Sequence, residues 1–257
     1  MSVRFTAADN TDTLRVTSAM AVGSGNFSFG VWVYFVSTPA ALGDIMNCAN
    51  AFDSGLGTYI GIYQDNSPID IIGLQSGSAQ LGTFTPTTAT WYYVVYSRSG
   101  TTLRVRVFDD TSSTTPQSDE TVTDSTDYGT VTLDSFAFGA LWANECPDAE
   151  VESGKVHLGV AWTDAQCRTE SQNYALQTGG GTEWGTWELQ NVDADANGIN
   201  DISGNARNLT NTGSVAGANG PPSQIGAGGG GLFINIAGPG GVAGSDGIAG
   251  QRGGIAG

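Results

Sequence analysis

The sequence predicts an all-β fold: a two-sheet antiparallel jelly-roll sandwich with one short helix and an extended glycine-rich C-terminal tail. Three observations predict it. About a dozen short segments rich in β-branched and aromatic residues alternate with clusters of Gly, Asn, Pro and Ser, the punctuation of an antiparallel sandwich. The stretch Thr90 to Phe108, TWYYVVYSRSGTTLRVRVF, reads as two strands around a turn at Ser97 to Thr101. Charged residues are only 13% of the 257, against 38 glycines, which is the composition of a loop-rich β protein rather than of an α/β enzyme.

Arg4 to Thr6 and Thr13 to Thr17 read as short strands separated by the turn Ala8-Asp9-Asn10-Thr11. Asn26 to Val36 is the longest alternating segment. Phe27, Phe29, Val31, Val33 and Phe35 share one face, and Ser28, Gly30, Trp32 and Tyr34 the other, so the first face is core and the second is a candidate covered layer. Strands follow at 43–47, 59–63, 69–75 and 81–85. In the Thr90–Phe108 stretch, Trp91 to Tyr96 is apolar on both faces, as a central strand is. Its partner turns Leu103, Val105 and Val107 inward and is expected to keep Arg104 and Arg106 in water. Strands at 120–123, 133–139 and 155–162 continue the pattern, whereas Pro147 to Gly154 reads as turn-like. Thr163-Asp164 is an N-cap for a helix over 165–176, and Gly179-Gly180-Gly181 lies beyond its end. A closing strand at 184–189 and a polar loop at 191–208 end the domain, read as residues 1–213.

Residues 214–237 read as a linker and an apolar plug, Leu232-Phe233-Ile234-Asn235-Ile236. In the tail, 238–257, glycine recurs at every third position, Gly238, Gly241, Gly244, Gly247, Gly250 and Gly253, until the phase breaks at Ala256. Only glycine fits the axis of three wound polyproline-II chains, so this collagen-like period predicts a homotrimer. Leu232, Phe233, Ile234 and Ile236 would pack around the threefold axis. A flexible glycine-rich tether is the simpler alternative.

Nine basic residues against 25 acidic ones give a formal net charge of −16, which excludes nucleic acid as an expected partner. No basic region followed by a long apolar run opens the chain, so neither a signal peptide nor membrane insertion is expected. Cys48, Cys146 and Cys167 lack metal-type spacing and are expected as buried thiols, with a Cys146–Cys167 bridge as the minority reading.

The hairpin WYYVVYSRSGTTLRVRVF resembles a recurrent strand pair of laminin-G-like and concanavalin-A-like jelly rolls. FSFGVWVYF is similar to their early strand, VHLGVAWTDAQC to their late strand and following helix, and WELQ…DISGNARNLTNTG to their closing segment. The resemblance runs in order over residues 1–213 and implies that fold. The opening SVRFTAADNTDTLRV and the glycine triplets also resemble phage virion proteins, such as tail-fibre or capsid-decoration subunits. This second resemblance implies a non-enzymatic structural or adhesion subunit on the virion surface. Its partners would be its own copies, other virion proteins and a cell-surface glycan. The alternative is a secreted, glycan-binding, lectin-like module.

Three kinds of chemistry are weighed on individual residues. Asp193, Asp195, Asn197 and Asp201 have the D-x-D-x-N-G-x-x-D spacing of a calcium loop, although a solvated Asx-rich turn gives the same pattern. Trp32, Tyr34, Tyr92 and Tyr96, with Trp91, Tyr59 and Tyr63, exceed what one core face requires. Aromatic rings beside Asn and Asp hold sugars, and the same rings also fill a second covered face. The resembled superfamily includes glucanases with carboxylates alternating as E-x-D-x-x-E. Here the nearest alternation is Glu150-Val151-Glu152, without a third carboxylate, and His157 has no triad partners, so no enzyme is expected.

Overall fold

The computed structural model describes residues 2–218 except 7–11, 38–41, 50–58, 66–70, 76–80, 112, 128–132, 141–144, 174–180, 190–198 and 214, and for 71–75, 133–135 and 212 only the backbone. Residues 232–253, read as the trimerising element, and Asp193, Asp195 and Asn197 lie outside the described residues.

In chain order the strands are β1 (Ser2–Phe5), β2 (Thr13–Met20), β3 (Phe27–Phe35), β4 (Gly43–Ala49), β5 (Tyr59–Gln64), β6 (Ile71–Gln75), β7 (Leu81–Phe84), β8 (Trp91–Ser99), β9 (Thr102–Phe108), β10 (Ser118–Thr123), β11 (Leu133–Gly139) and β12 (Ala149–Leu158). Helix α1 (Asp164–Ser171) follows, then β13 (Thr182–Trp187), β14 (Thr210–Thr212) and β15 (Ala216–Ala218). They form two antiparallel sheets. Sheet one runs β10-β9-β8-β3-β12-β1-β15, with β13 also on β12; sheet two runs β14-β2-β11-β4-β5-β6-β7. β15 pairs with β1 through Ser2–Ala218, which carries the sheet past the boundary read at residue 213.

The two inner faces make the core. Phe27, Phe29, Val31, Val33 and Phe35 of β3 meet Ile60, Ile62, Phe136 and Phe138 of sheet two. Trp187 stacks on Phe136 at 4.8 Å between ring centroids. Each such side chain contributes about 1.5–3 kcal/mol by leaving water. As the alternation predicts, β3 and β8 are central strands and lie side by side, from Phe27 opposite Arg98 to Tyr34 opposite Trp91.

The outer face of sheet one is the second covered layer. Trp32, Trp91, Tyr93, Val95, Phe108, Trp162 and Cys167 pack there, with Tyr34 at the edge against Trp91. α1 covers them. A capping box starts it, with the Thr163 hydroxyl accepting from the Gln166 amide and the Gln166 side chain accepting from the Thr163 amide. Its end is tied down by Lys155, which is fully buried and donates to the Glu170 carboxylate at 2.9 Å, the Glu170 carbonyl at 2.8 Å and the Asn173 carbonyl. Trp32 Nε1 donates to the Ser171 carbonyl at 2.8 Å.

Four sequence expectations are corrected. The helix ends at Ser171 with Gln172 as its C-cap, well before residue 176. Arg106 is not wet: α1 lies over it, and its guanidinium is buried 3.0 Å from Asp164. Residues 149–154 are strand, because a β-bulge between Glu152 and Lys155, with Ser153 at φ 50°, absorbs the break that Gly154 suggested. The hairpin turn shrinks to Gly100-Thr101, and Gly100 supplies the left-handed conformation at φ 59°. The cysteines are all buried thiols outside any disulfide, as expected.

Candidate functional site

The aromatic residues sort by face. Trp32, Tyr92 and Tyr96 are buried, which corrects their reading as a glycan surface: Tyr92 and Tyr96 belong to the inter-sheet core, and Trp32 lies beneath α1. Tyr34 is half-buried and engaged with Trp91 at 5.3 Å. Tyr59 and Tyr63 differ. They alternate with Ile60 and Ile62 on β5, so they stand on the outer face of sheet two, with their rings 6.4 Å apart at 71°.

Strand pairing sets a polar cluster beside them. Across β4 and β5, Asp44 lies opposite Tyr63, Asn47 opposite Gly61 and Ala49 opposite Tyr59. On the other side of β4, Asn47 lies opposite Ala137 of β11. A bulge between Asp44 and Met46 lets Asp44 share the outer face with Asn47 although three positions separate them. Glu145 arrives from another part of the chain. Its carbonyl accepts the Asp44 amide at 2.7 Å, which brings the two acidic residues close.

Asp44, Asn47 and Tyr63 are buried, while Tyr59 and Glu145 are half-exposed and form the open side of the cluster. Asn47 donates its amide to the Gly139 carbonyl at 3.5 Å. Asn47 Oδ1, Tyr63 Oη and Glu145 Oε2 have no hydrogen-bond partner. Burial pushes the Glu145 carboxyl above the usual carboxylate range, against the pull of its bond to Asp44. Burial likewise lifts the Tyr63 phenol well above its usual value, reinforced by the nearby Asp44 and Glu145 charges. The result is a set of buried hydroxyl, amide and carboxyl oxygens beneath the half-exposed Tyr59 and Glu145. Tyr93 Oη and Trp162 Nε1 are also unpartnered, but they sit beneath α1.

Asp201, the one described residue of the expected calcium loop, is turned inward. Its carboxylate accepts the Thr186 amide at 3.1 Å, the Ser203 amide at 2.9 Å and the Arg207 amide at 3.0 Å. Those bonds outweigh burial and hold its pKa below the usual carboxylate value. Asp201 therefore pins the closing loop to β13. Among the described residues no three or more His, Cys, Asp or Glu side chains group together as a metal site. Asp44 and Asn47 share the outer face of sheet two, and Glu145 is bound to Asp44 through the backbone.

Fold and comparisons define the chain as a β-sandwich of the jelly-roll kind. It is similar in structure to a provisionally assigned carbohydrate-binding protein from Bacteroides ovatus, with a TM-score of 0.59 and 12% identity over 86% of this chain. It spans 60% of that protein's length. It is also similar to the SAP-like pentraxin of Limulus polyphemus, at a TM-score of 0.47 and 16% identity over 71% of this chain and 87% of that one. A third likeness is to domain 4 of an extracellular arabinanase from Geobacillus stearothermophilus, at a TM-score of 0.46 and 14% identity over 60% of this chain and 68% of that domain. Sequence searches against protein families and against curated proteins find no match.

Proposed function

We propose that this chain is a non-catalytic, lectin-like carbohydrate-binding module whose sugar face is the outer face of sheet two. The observation that carries the reading is the half-exposed Tyr59 ring on the outer face of sheet two, beside Tyr63, Asp44 and Asn47 on the same face. Sugars need an aromatic surface for their C–H face and fixed polar groups for their hydroxyls, and both are here. The B. ovatus protein, itself assigned provisionally to carbohydrate binding, has the same fold and supports this choice over a purely structural role. Glycoside hydrolysis is disfavoured by geometry. It needs two carboxyls facing one open cleft, whereas Asp44 is fully buried. The Glu150-x-Glu152 alternation supplies no pair either, because Glu150 accepts from Ser2 Oγ at 2.8 Å and Glu152 is buried.

Glycan-array screening of the full chain, beside Tyr59→Ala and Asp44→Asn, tests this. Binding that either variant weakens at least tenfold is expected. An array without a retained glycan, or variants that bind like the parent, would sink the reading. Display on a virion is a second proposal, favoured by the unbroken glycine triplets of 238–253. A trimeric mass for the full chain and a monomeric one for a chain ending near Gly220 is its expected result. Two monomers at micromolar concentration would contradict it.

A further inference from the structure

We infer that the sugar face is a strip crossing sheet two from Tyr59 on β5 to Thr210 on β14, with Arg15 and Thr17 of β2 as further contact residues, and that its ligand is a linear, neutral oligosaccharide. This rests on the carbohydrate reading and adds the shape of the sugar to it. Strand register lays out the strip. On the outer face Tyr59 stands opposite Ala49, Ala49 opposite Ser135 and Ser135 opposite Thr17. In the next row Gly61 stands opposite Asn47, Asn47 opposite Ala137, Ala137 opposite Arg15 and Arg15 opposite Thr210. Leu14 and Met20 of β2 belong to the core, so Arg15 and Thr17, at odd positions of the same strand, are on the outer face.

Tyr59 packs against the buried Ala49 and Ala137 and stays half-exposed. Arg15, also half-exposed, is the next residue across from Ala137, and Thr17 and Thr210 are exposed. An aromatic ring, a guanidinium and two hydroxyls therefore follow one another across the strands. Asn47, fully buried in the same row as Arg15, has its Oδ1 without a hydrogen-bond partner. A buried polar atom of that kind marks the place of a water or of a ligand hydroxyl. Neighbouring strands lie about 4.8 Å apart, so β5 to β2 spans about 14 Å and β5 to β14 about 19 Å. One sugar ring is shorter than that and meets Tyr59 alone, whereas a chain of several units also reaches Arg15, Thr17 and Thr210. The guanidinium only donates, which suits hydroxyl oxygens. With 25 acidic residues against nine basic ones the field of the chain repels polyanions, so the units are neutral.

The test is isothermal titration calorimetry of the full chain with ladders of cello-, xylo-, manno- and N-acetylchito-oligosaccharides, from monosaccharide to hexasaccharide. In at least one series the affinity should rise at least tenfold from disaccharide to tetrasaccharide and then level off. Tyr59→Ala should weaken every length. Thr17→Val, at an exposed position, and Arg15→Gln should each weaken the tetrasaccharide severalfold and shrink its advantage over the disaccharide, with the circular dichroism unchanged. An oligogalacturonate ladder should bind more weakly than the best neutral one. A monosaccharide that binds as tightly as its tetrasaccharide would overturn the inference and leave the carbohydrate reading standing. So would a length dependence that both β2 variants leave intact, or tighter binding of oligogalacturonate. Silence from every ladder would also overturn it; a glycan retained on the array would then keep the carbohydrate reading, and an empty array would remove both.

Discussion

Replacing Lys155 with methionine tests how the second layer is held. The ammonium is fully buried and makes three bonds at the end of α1: to the Glu170 carboxylate at 2.9 Å, to the Glu170 carbonyl at 2.8 Å and to the Asn173 carbonyl. Burial holds its pKa below the usual lysine value, while the Glu170 charge pulls the other way. Methionine keeps the volume of the stem and removes the donors. Glu170, itself buried, then loses the cation beside it in a site closed to water. Breaking a buried pair from one side costs about 3–5 kcal/mol. For a domain of this size that lowers the melting temperature by about 6–20 °C. Thermal unfolding by calorimetry, with urea titration to confirm an unchanged m-value, reads the loss. The double variant Lys155→Met/Glu170→Leu replaces the whole pair by apolar groups and should recover most of it. A loss below about 1 kcal/mol in the single variant, or a double variant no more stable than the single, would refute this view of the layer.

Three further outcomes are expected. Gly30→Ala brings a methyl 2.4 Å from Tyr93 Oη and 2.7 Å from Trp162, so about 1–3 kcal/mol should be lost by overpacking, read by urea titration; an unchanged midpoint would contradict the packing beneath α1. Asp109, Asp119 and Asp201 have lowered pKa values, so the stability they contribute is present above pH 3.8 and is lost as pH falls through their folded values. Glu145 has the opposite sign. Its raised pKa gives stability that is complete below pH 4.5 and disappears as pH rises through the folded value, so Glu145→Gln should gain on the parent from acid to neutral pH in calcium-free buffer. A constant difference across melting curves from pH 4 to 8 would contradict this. Cys167, buried with its thiol pushed up to about 12, and the buried Cys48 and Cys146 should resist iodoacetamide at pH 8 until the protein unfolds, as mass spectrometry would show; prompt native labelling would show an open core.

The fold was legible where one residue's neighbours in sequence are also its neighbours in the sheet. β3 and β8 declared themselves by period-two alternation and by aromatic content on both faces, and these two strands do form the centre of sheet one. What lies over a face was not legible. Alternation puts Arg106 outside the core, but only the placement of α1 buries it against Asp164. For the same reason Trp32 passes for a surface ring. β12 was partly hidden, because Pro147 just before it and Gly154 within it are turn residues in sequence, whereas Gly154 falls in a bulge in three dimensions. The polar cluster was least visible of all. Asp44, Asn47, Tyr59, Tyr63 and Glu145 share no motif, and strand pairing together with one bulge makes them neighbours. Tyr59 and Tyr63 did stand out as surplus aromatics, and this was the one available signal.

The most direct measurement is the NMR response of the tyrosine rings. Protein labelled at tyrosine, titrated with a panel of neutral, amino and acidic oligosaccharides, reports which rings meet the ligand. Carbohydrate binding on the outer face of sheet two predicts saturable shifts at the half-exposed Tyr59, passed on more weakly to the buried Tyr63 beside it, with Tyr92, Tyr93 and Tyr96 unmoved in the core and beneath α1. Shifts confined to Tyr34, or none with any sugar that the protein demonstrably binds, would contradict it.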